Sequence, residues 1–242
     1  MLELVDEFRH APSTHPLWAE AWSFEAVAPD LSWGLYARLT LTPAHAWWWS
    51  VIARQNEPLL LVRDQHLDVP RGFEVRGAGL WADLTCHEAM QRWQVNFEGF
   101  AVALDDSEDA YGAERGDRTA VEFEFEWEAS APPFAFDDGY GQRCAVSGDA
   151  QIVGSVGVAV DEPVAGYRDH TWGVVDWWAH EWVRVEGAPA HETLIRPELS
   201  GGVLIEPFAG HGRRRRLERA ASVIVDADGI TRVGWAEWNR AT

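Results

Sequence analysis

The sequence has no lysine at all among its 242 residues. All 20 basic residues are arginines, and 39 acidic residues bring the formal net charge to −19. A surface this acidic repels phosphate backbones and anionic lipids, which argues against a nucleic-acid partner and against binding to a membrane surface. The one basic run, Arg213–Arg216, fits a solvated turn or a local patch that binds acidic groups.

Long apolar runs and cysteine pairs are also missing. No apolar run approaches the roughly 20 residues that a membrane helix requires, so we expect no membrane insertion. The segment Met1–Glu7 is acidic and no apolar stretch follows it, so we expect no secretory signal and a cytoplasmic location. Cys86 and Cys144 lie far apart and outside any paired motif, which predicts two reduced, structural thiols.

Several catalytic motifs are lacking too. The sequence contains no G-x-S-x-G nucleophile elbow, and the glycines of the strand-like run Gly154–Gly157 are followed by neither a helix pattern nor a lysine. His180-Glu181 lacks the second histidine of a helical zinc motif. We therefore expect no metal site, no redox cofactor and no phosphate chemistry. Two classes of function remain: acid–base catalysis in an apolar pocket, and ligand binding without turnover.

A period-two pattern of apolar and polar residues dominates the chain and predicts an all-β protein. In Val121–Glu128, four apolar side chains share one face and four glutamates share the other, as in a strand that separates core from water. Only Ser13 to Ala21 suggests an early helix. Further predicted strands are 33–41, 47–53, 59–62, 80–85, 92–97, 100–104, 150–160, 181–185, 193–195, 202–206, 222–225 and 232–238.

Tryptophan is the most over-represented residue, with 15 copies. The run Trp47–Trp49 cannot face one side of a strand, so some of these indoles must lie on a second buried surface. An aromatic-lined cavity explains this, and so does an interface between two β units or two subunits. Both explanations stay open at this point.

The most informative segment is Gly166–Trp178, which holds an ionisable cluster and three tryptophans. In an extended chain Arg168, His170 and Trp172 project from one face, while their neighbours point the other way. Imidazole titrates near neutral pH and an indole face stabilises a cation, so this pair suits reactions that protonate an alkene. A histidine packed in the core against a tryptophan is the structural alternative.

The motif Arg168–Gly173, followed by Asp176 and Trp177, resembles the R-D-H-x-W-G-x-x-D-W signature of the hydroxyneurosporene synthase (carotenoid 1,2-hydratase) family. That family includes kievitone hydratase and lipocalin-like Diels-Alderases, and the resemblance spans roughly residues 80–185. It implies two packed lipocalin-like (calycin) β-barrel or half-barrel units, over residues 1–138 and 139–242. A second unit with fewer strands than the first stays open. It also implies a hydrophobic substrate and no cofactor.

The resemblance assigns activity to His170 and Trp172, and Asp176 is placed to fold back and orient the imidazole. We expect Trp177, Trp48, Trp93 and Tyr167 to contact substrate, and Arg168 and Asp169 to be structural. Glu192 and Glu198 are candidates for an acidic partner by position only. The predicted function is cofactor-independent, non-redox catalysis on a hydrophobic unsaturated terpenoid, polyene or polyketide, by alkene hydration or by cyclisation or isomerisation in an aromatic-lined pocket. A carrier for a hydrophobic ligand is the alternative, and a homodimer is left open.

Overall fold

The computed structural model describes residues 2–15, 18–106, 109–110 and 114–174, together with the backbone of 184–185, 190–205, 215–226 and 231–241. Regular structure in these residues is antiparallel β-sheet, apart from a 3-10 helix at Leu4–Glu7 and 3-10 conformation at residues 109–110. The prediction of an all-β protein is confirmed. The strands are β1 Trp18–Val27, β2 Trp33–Leu41, β3 Ala46–Arg54, β4 Leu60–Leu67, β5 Glu74–Gly77, β6 Leu80–Glu88, β7 Arg92–Leu104, β8 Gly116–Ala129, β9 Phe134–Phe136, β10 Gly139–Ile152, β11 Val158–Ala159, β12 Val164–Val174, β13 Arg184–Val185, β14 Ala190–Ile205, β15 Arg215–Asp226 and β16 Thr231–Ala241.

Eight strands of the larger sheet close into a ring in the order β10-β12-β1-β2-β3-β4-β7-β8, because β8 pairs with both β7 and β10. The ring is irregular at one point, where β4 and β7 pair only through Leu60↔Ala103 and Leu61↔Val102. β13 to β16 form a separate four-stranded sheet. A ring of eight strands encloses a space that side chains fill or that one small ligand occupies.

Alternation along the strands decides which side chains fill the ring. On β8, Val121, Phe123, Phe125 and Trp127 are buried, whereas the glutamates between them face outward. They join one apolar cluster with inward-facing residues of β1, β2, β3, β7 and β10. The predicted division of this strand between core and water is confirmed.

β1 is buried at every position, so it lacks a polar face. Its sequence therefore shows no clean alternation, and the helix suggested for Ser13 to Ala21 is wrong from Trp18 onward. The second buried surface predicted from Trp47–Trp49 exists: Trp48 belongs to the inner cluster and Trp49 to a second cluster outside the ring.

Two strand boundaries also differ from expectation. The run predicted as one strand over 150–160 is broken by a turn after Ile152, so Gly154–Gly157 lies outside the strands. The two strands predicted within 92–104 form one continuous strand, β7. Strands β10 and β12 pair with β8 and β1, and the division into units at residue 138 stays a prediction. No helix among the described residues has the length and apolar character needed to cross a membrane.

Candidate functional site

Three neighbouring strands bring the motif's inward-facing side chains together with residues far away in sequence. In the register of β12, His170 lies between Trp22 of β1 and Tyr140 of β10. Two residues earlier on β12, Arg168 lies between Phe24 of β1 and Gln142 of β10. Trp172 pairs with Glu20 of β1. The face predicted for Arg168, His170 and Trp172 therefore looks into the ring.

Aromatic rings enclose His170 on several sides. The Trp22 indole stacks on its imidazole with ring centroids 4.3 Å apart and 18° between planes. Trp172 is tilted against it at 4.8 Å, and Tyr140 meets it edge-on at 5.8 Å. His10, from the segment before β1, in turn stacks on Trp172 at 4.1 Å. His170 itself has no exposed surface.

The N-terminal segment, residues 2–15, covers this site and inserts one acidic side chain into it. Glu7 is fully buried at the end of the 3-10 helix. Its carboxylate accepts hydrogen bonds from Arg168 Nη1 at 2.7 Å and from the Trp93 indole at 2.9 Å. The Tyr140 hydroxyl and the Met90 backbone N–H also donate to it. This network ties the segment to three strands and to the turn before β7.

Burial and neighbouring groups have opposing effects on the pKa values of Glu7 and Arg168. Burial would raise the pKa of Glu7, but the Arg168 charge and the hydrogen bonds from Arg168, Tyr140 and Met90 bring it below its ordinary value. Burial would lower the pKa of Arg168, but Tyr140 and Glu7 raise it. Glu7 and Arg168 thus form a buried ion pair.

The acidic partner of His170 is Glu20. Its Oε1 lies 3.0 Å from His170 Nε2, and both side chains are fully buried. Sequence reasoning missed Glu20, Glu7 and His10, because their contacts with β12 span about 150 residues or more. A signal was present: Glu20 shares the inward alternation of Trp22 and Phe24, and a glutamate at such a position needs a partner.

Hydrogen-bond logic fixes a proton between His170 and Glu20. The Asp6 carbonyl lies 2.7 Å from His170 Nδ1, and because a carbonyl only accepts, Nδ1 carries a hydrogen. Nε2 and Glu20 Oε1 at 3.0 Å then need one proton between them. Burial lowers the pKa of His170, although the hydrogen bonds to Glu20 and to the Asp6 carbonyl oppose this.

A third side chain contacts the same oxygen. His10 Nδ1 and the His10 backbone N–H each lie 2.8 Å from Glu20 Oε1. Ligand atoms of His10, Glu20 and His170 lie within 4.8 Å of one another, as a divalent transition ion requires. The His10 backbone N–H donates to the oxygen that both rings contact, and Glu20 Oε2 is buried with no hydrogen-bond partner among the described residues. We describe the contacts of the two rings as hydrogen bonds, and the absence of a metal stays a prediction.

The other predicted site residues do not all reach His170. Trp93 joins the Glu7 network, and Trp48 packs in the core with its ring parallel to Phe97, 5.9 Å away. Tyr167 lies on the opposite face of β12. Its hydroxyl passes over Gly141, where a Cβ would meet it at 1.8 Å. Contact between these residues and substrate stays a prediction.

The remaining predicted residues are Arg168 and Asp169, for which a structural role is predicted, and four residues of the C-terminal region. Arg168 forms the ion pair with Glu7, and Asp169 is buried on the face opposite His170. Asp176 and Trp177 lie outside the described residues, as do the side chains of Glu192 and Glu198. The orienting role assigned to Asp176 stays a prediction, while Glu20 and the Asp6 carbonyl hold the two ring nitrogens.

Comparison with known protein families gives a match over most of the chain. Residues 3–188 match the family described as "Domain of unknown function (DUF7064)". The chain belongs to this family. The match covers the N-terminal segment, β1 and the whole of β12. Every residue of the His10–Glu20–His170 cluster therefore lies in the DUF7064 region. None of the curated proteins matches this chain.

Two similar solved structures are the crystal structure of CghA and that of CghA with Sch210972. Identities are 12% and 11%, with TM-scores of 0.41 and 0.42. The matches cover 92% and 97% of this DUF7064 chain but only 58% and 64% of CghA. A likeness at this level carries no argument about chemistry, and kinship with the carotenoid hydratases stays a prediction.

Proposed function

We propose that this protein is a non-redox enzyme that protonates an unsaturated, hydrophobic small molecule at His170. The observation that carries the proposal is the 3.0 Å contact between His170 Nε2 and Glu20 Oε1 inside an aromatic enclosure. The pair carries one transferable proton beside apolar aromatic rings, and protonation of an alkene needs such a general acid.

The transfer balances within this pair. The Nδ1–H bond of His170 breaks as a C–H bond forms on the substrate, and the Glu20 proton moves to Nε2. The cation that results lies against the faces of Trp22 and Trp172, whose quadrupoles stabilise it. Capture by water gives a hydrated product. Attack by a second double bond gives a ring, and loss of a neighbouring proton gives an isomer.

Access to Nδ1 places a condition on the reaction. The Asp6 carbonyl accepts the Nδ1 hydrogen bond, so a substrate must take the place of that carbonyl. Catalysis therefore requires the Asp6 carbonyl to move away from His170 Nδ1. Terpenoids, polyenes and polyketides fit the predicted substrate class, because Trp22, Trp172 and Tyr140 surround His170 with aromatic rings.

A carrier for a hydrophobic molecule is the second candidate, and a specific observation favours it. His170 is fully buried and both ring nitrogens have partners, as in a histidine that serves structure. In a carrier, ligand binding requires no proton transfer. Substitutions around His170 would then change affinity and leave the ligand chemically unaltered.

Turnover in labelled water separates the two candidates. Apolar extracts of terpenoids, polyenes and polyketides are incubated with the protein in oxygen-18 water and followed by liquid chromatography and mass spectrometry. The comparison includes His170→Ala, Glu20→Gln and, as a matched control, the exposed His45→Gln. A labelled hydrate or an isomer formed by wild type and the control, but lost in the other two variants, supports the proposal. Equal conversion by His170→Ala refutes it, and ligand retained unchanged by all four proteins indicates a carrier.

A further inference from the structure

Glu20 Oε1 is the meeting point of two histidines that differ in their access to solvent. His10 Nδ1 contacts it at 2.8 Å and His170 Nε2 at 3.0 Å. The side chains of Glu20 and His170 have no exposed surface, whereas that of His10 is 26% exposed. A buried proton pair is thus joined to a ring at the protein surface by a single carboxylate oxygen.

The outer nitrogen of His10 has an acidic neighbour of its own. His10 Nε2 lies 3.6 Å from Asp6 Oδ1, and the Asp6 side chain is 22% exposed. The flat stacking of His10 on Trp172, 16° between planes, fixes the ring so that Nδ1 points inward and Nε2 outward. An imidazole held in this way accepts a proton on one nitrogen and releases another from the opposite one.

We propose that His10 relays protons between solvent and the buried Glu20–His170 pair. Water, directly or through Asp6, gives a proton to His10 Nε2, the Nδ1–H bond breaks, and that proton passes to Glu20 Oε1, which the transfer to His170 Nε2 has left ionised. The net result is one proton taken up outside and one delivered inside. His10 acts through Glu20 and is therefore a positioning residue.

Other groups around the pair do not offer this path. The Trp22 indole stacks on His170 and the Trp172 indole is tilted against it, and the Asp6 carbonyl carries no proton. Tyr140 donates its hydroxyl hydrogen to Glu7, and burial raises its pKa. Arg168, two residues before His170 on β12, forms its ion pair with Glu7. In the described part of the chain, His10 is the titratable contact of Glu20 other than His170.

The relay deepens the proposed function, because it supplies the acid whose use that function assumes. A nucleophile that attacks the far side of the substrate releases its proton away from His170. The Glu20–His170 pair must then take up a proton from solvent, and His10 provides the route. The existence of the route, however, is measurable without any substrate.

Exchange of the His170 ring protons with water tests the relay directly. Protein labelled with nitrogen-15 histidine is studied by NMR, and the exchange rate of the His170 Nε2 proton is measured in wild type, His10→Phe and His10→Gln. Phenylalanine keeps the stacking on Trp172, and glutamine keeps a polar group beside Glu20. Both block the relay, so exchange then depends on local opening, and we expect it to slow by about tenfold or more.

The exposed His45→Phe serves as the matched control and leaves the rate unchanged. Chemical rescue separates proton transfer from loss of packing: imidazole added to His10→Gly restores fast exchange if the ring conducts protons. Unchanged exchange in His10→Gln, with the His170 resonances in their wild-type positions, would overturn the relay. The exchange measurement needs no turnover, so its result is independent of the turnover assay in oxygen-18 water. The absence of a product would refute the proposed function and leave the relay standing, and unchanged exchange would refute the relay alone.

Discussion

Replacement of Glu7 by glutamine tests whether the N-terminal segment is docked as the structure shows it. Glu7 is fully buried and pairs with Arg168, which is itself 1% exposed. Glutamine has nearly the same volume, so the substitution removes a charge and leaves the packing in place. The Arg168 charge is then buried with no opposite charge beside it.

Breaking a buried ion pair by removing one partner costs about 3–5 kcal/mol. Because the glutamine carbonyl can still accept one hydrogen bond, we expect a loss near the lower end, about 3 kcal/mol. In a chain of this size that corresponds to a fall in Tm of about 6–12 °C. The exposed Glu124→Gln on β8 makes the same chemical change outside the ring and should alter stability little.

Urea denaturation followed by tryptophan fluorescence gives the free energy of unfolding for both variants. A second variant, Arg168→Met, should also destabilise, and the double variant should lose less than the sum because neither charge remains alone. If Glu7→Gln costs less than about 1 kcal/mol, Arg168 is not buried against Glu7 and the docking of the segment is wrong.

Three further predictions concern acid stability, thiol reactivity and the core. The pKa of Glu7 is lowered from 4.5 in the folded protein, so its stabilisation is complete above that pH and is lost as the pH falls through the folded value; Glu7→Gln should flatten the pH dependence of urea denaturation below 4.5. Burial raises the pKa of Cys86 to about 11, and Cys144 is buried, so neither thiol should react quickly with an aromatic disulfide reagent at neutral pH until the protein is unfolded; fast reaction of the native protein would contradict this. Trp48→Ala should cost about 3–5 kcal/mol in denaturant unfolding, whereas the partly exposed Trp47→Ala should cost less, and equal losses would contradict the assignment of Trp48 to the core.

Local patterns in the sequence determined much of the ring. Alternation along β8 identified both the strand and its buried face, and the run Trp33–Leu41 coincides with β2. The same period-two geometry placed Arg168, His170 and Trp172 on one face of β12. These features depend on the direction in which successive side chains leave an extended chain, which neighbouring residues define by themselves.

β1 shows where such reasoning stops. Every residue of Trp18–Val27 is buried, so the polar face that reveals a strand is missing and the sequence pattern predicts a helix at the start of the segment. That error hid Glu20, whose inward position follows from Trp22 and Phe24 only once the strand is recognised.

The site itself was decided by tertiary structure. Glu7 meets Arg168 across 161 positions and Glu20 meets His170 across 150, and no local pattern encodes such pairings. The sequence determined that His170 and Trp172 share a face suited to proton transfer. Closure of the ring and docking of the N-terminal segment decided which acid holds the proton, because burial forces each buried charge and hydrogen-bonding group to find a partner wherever the fold places one.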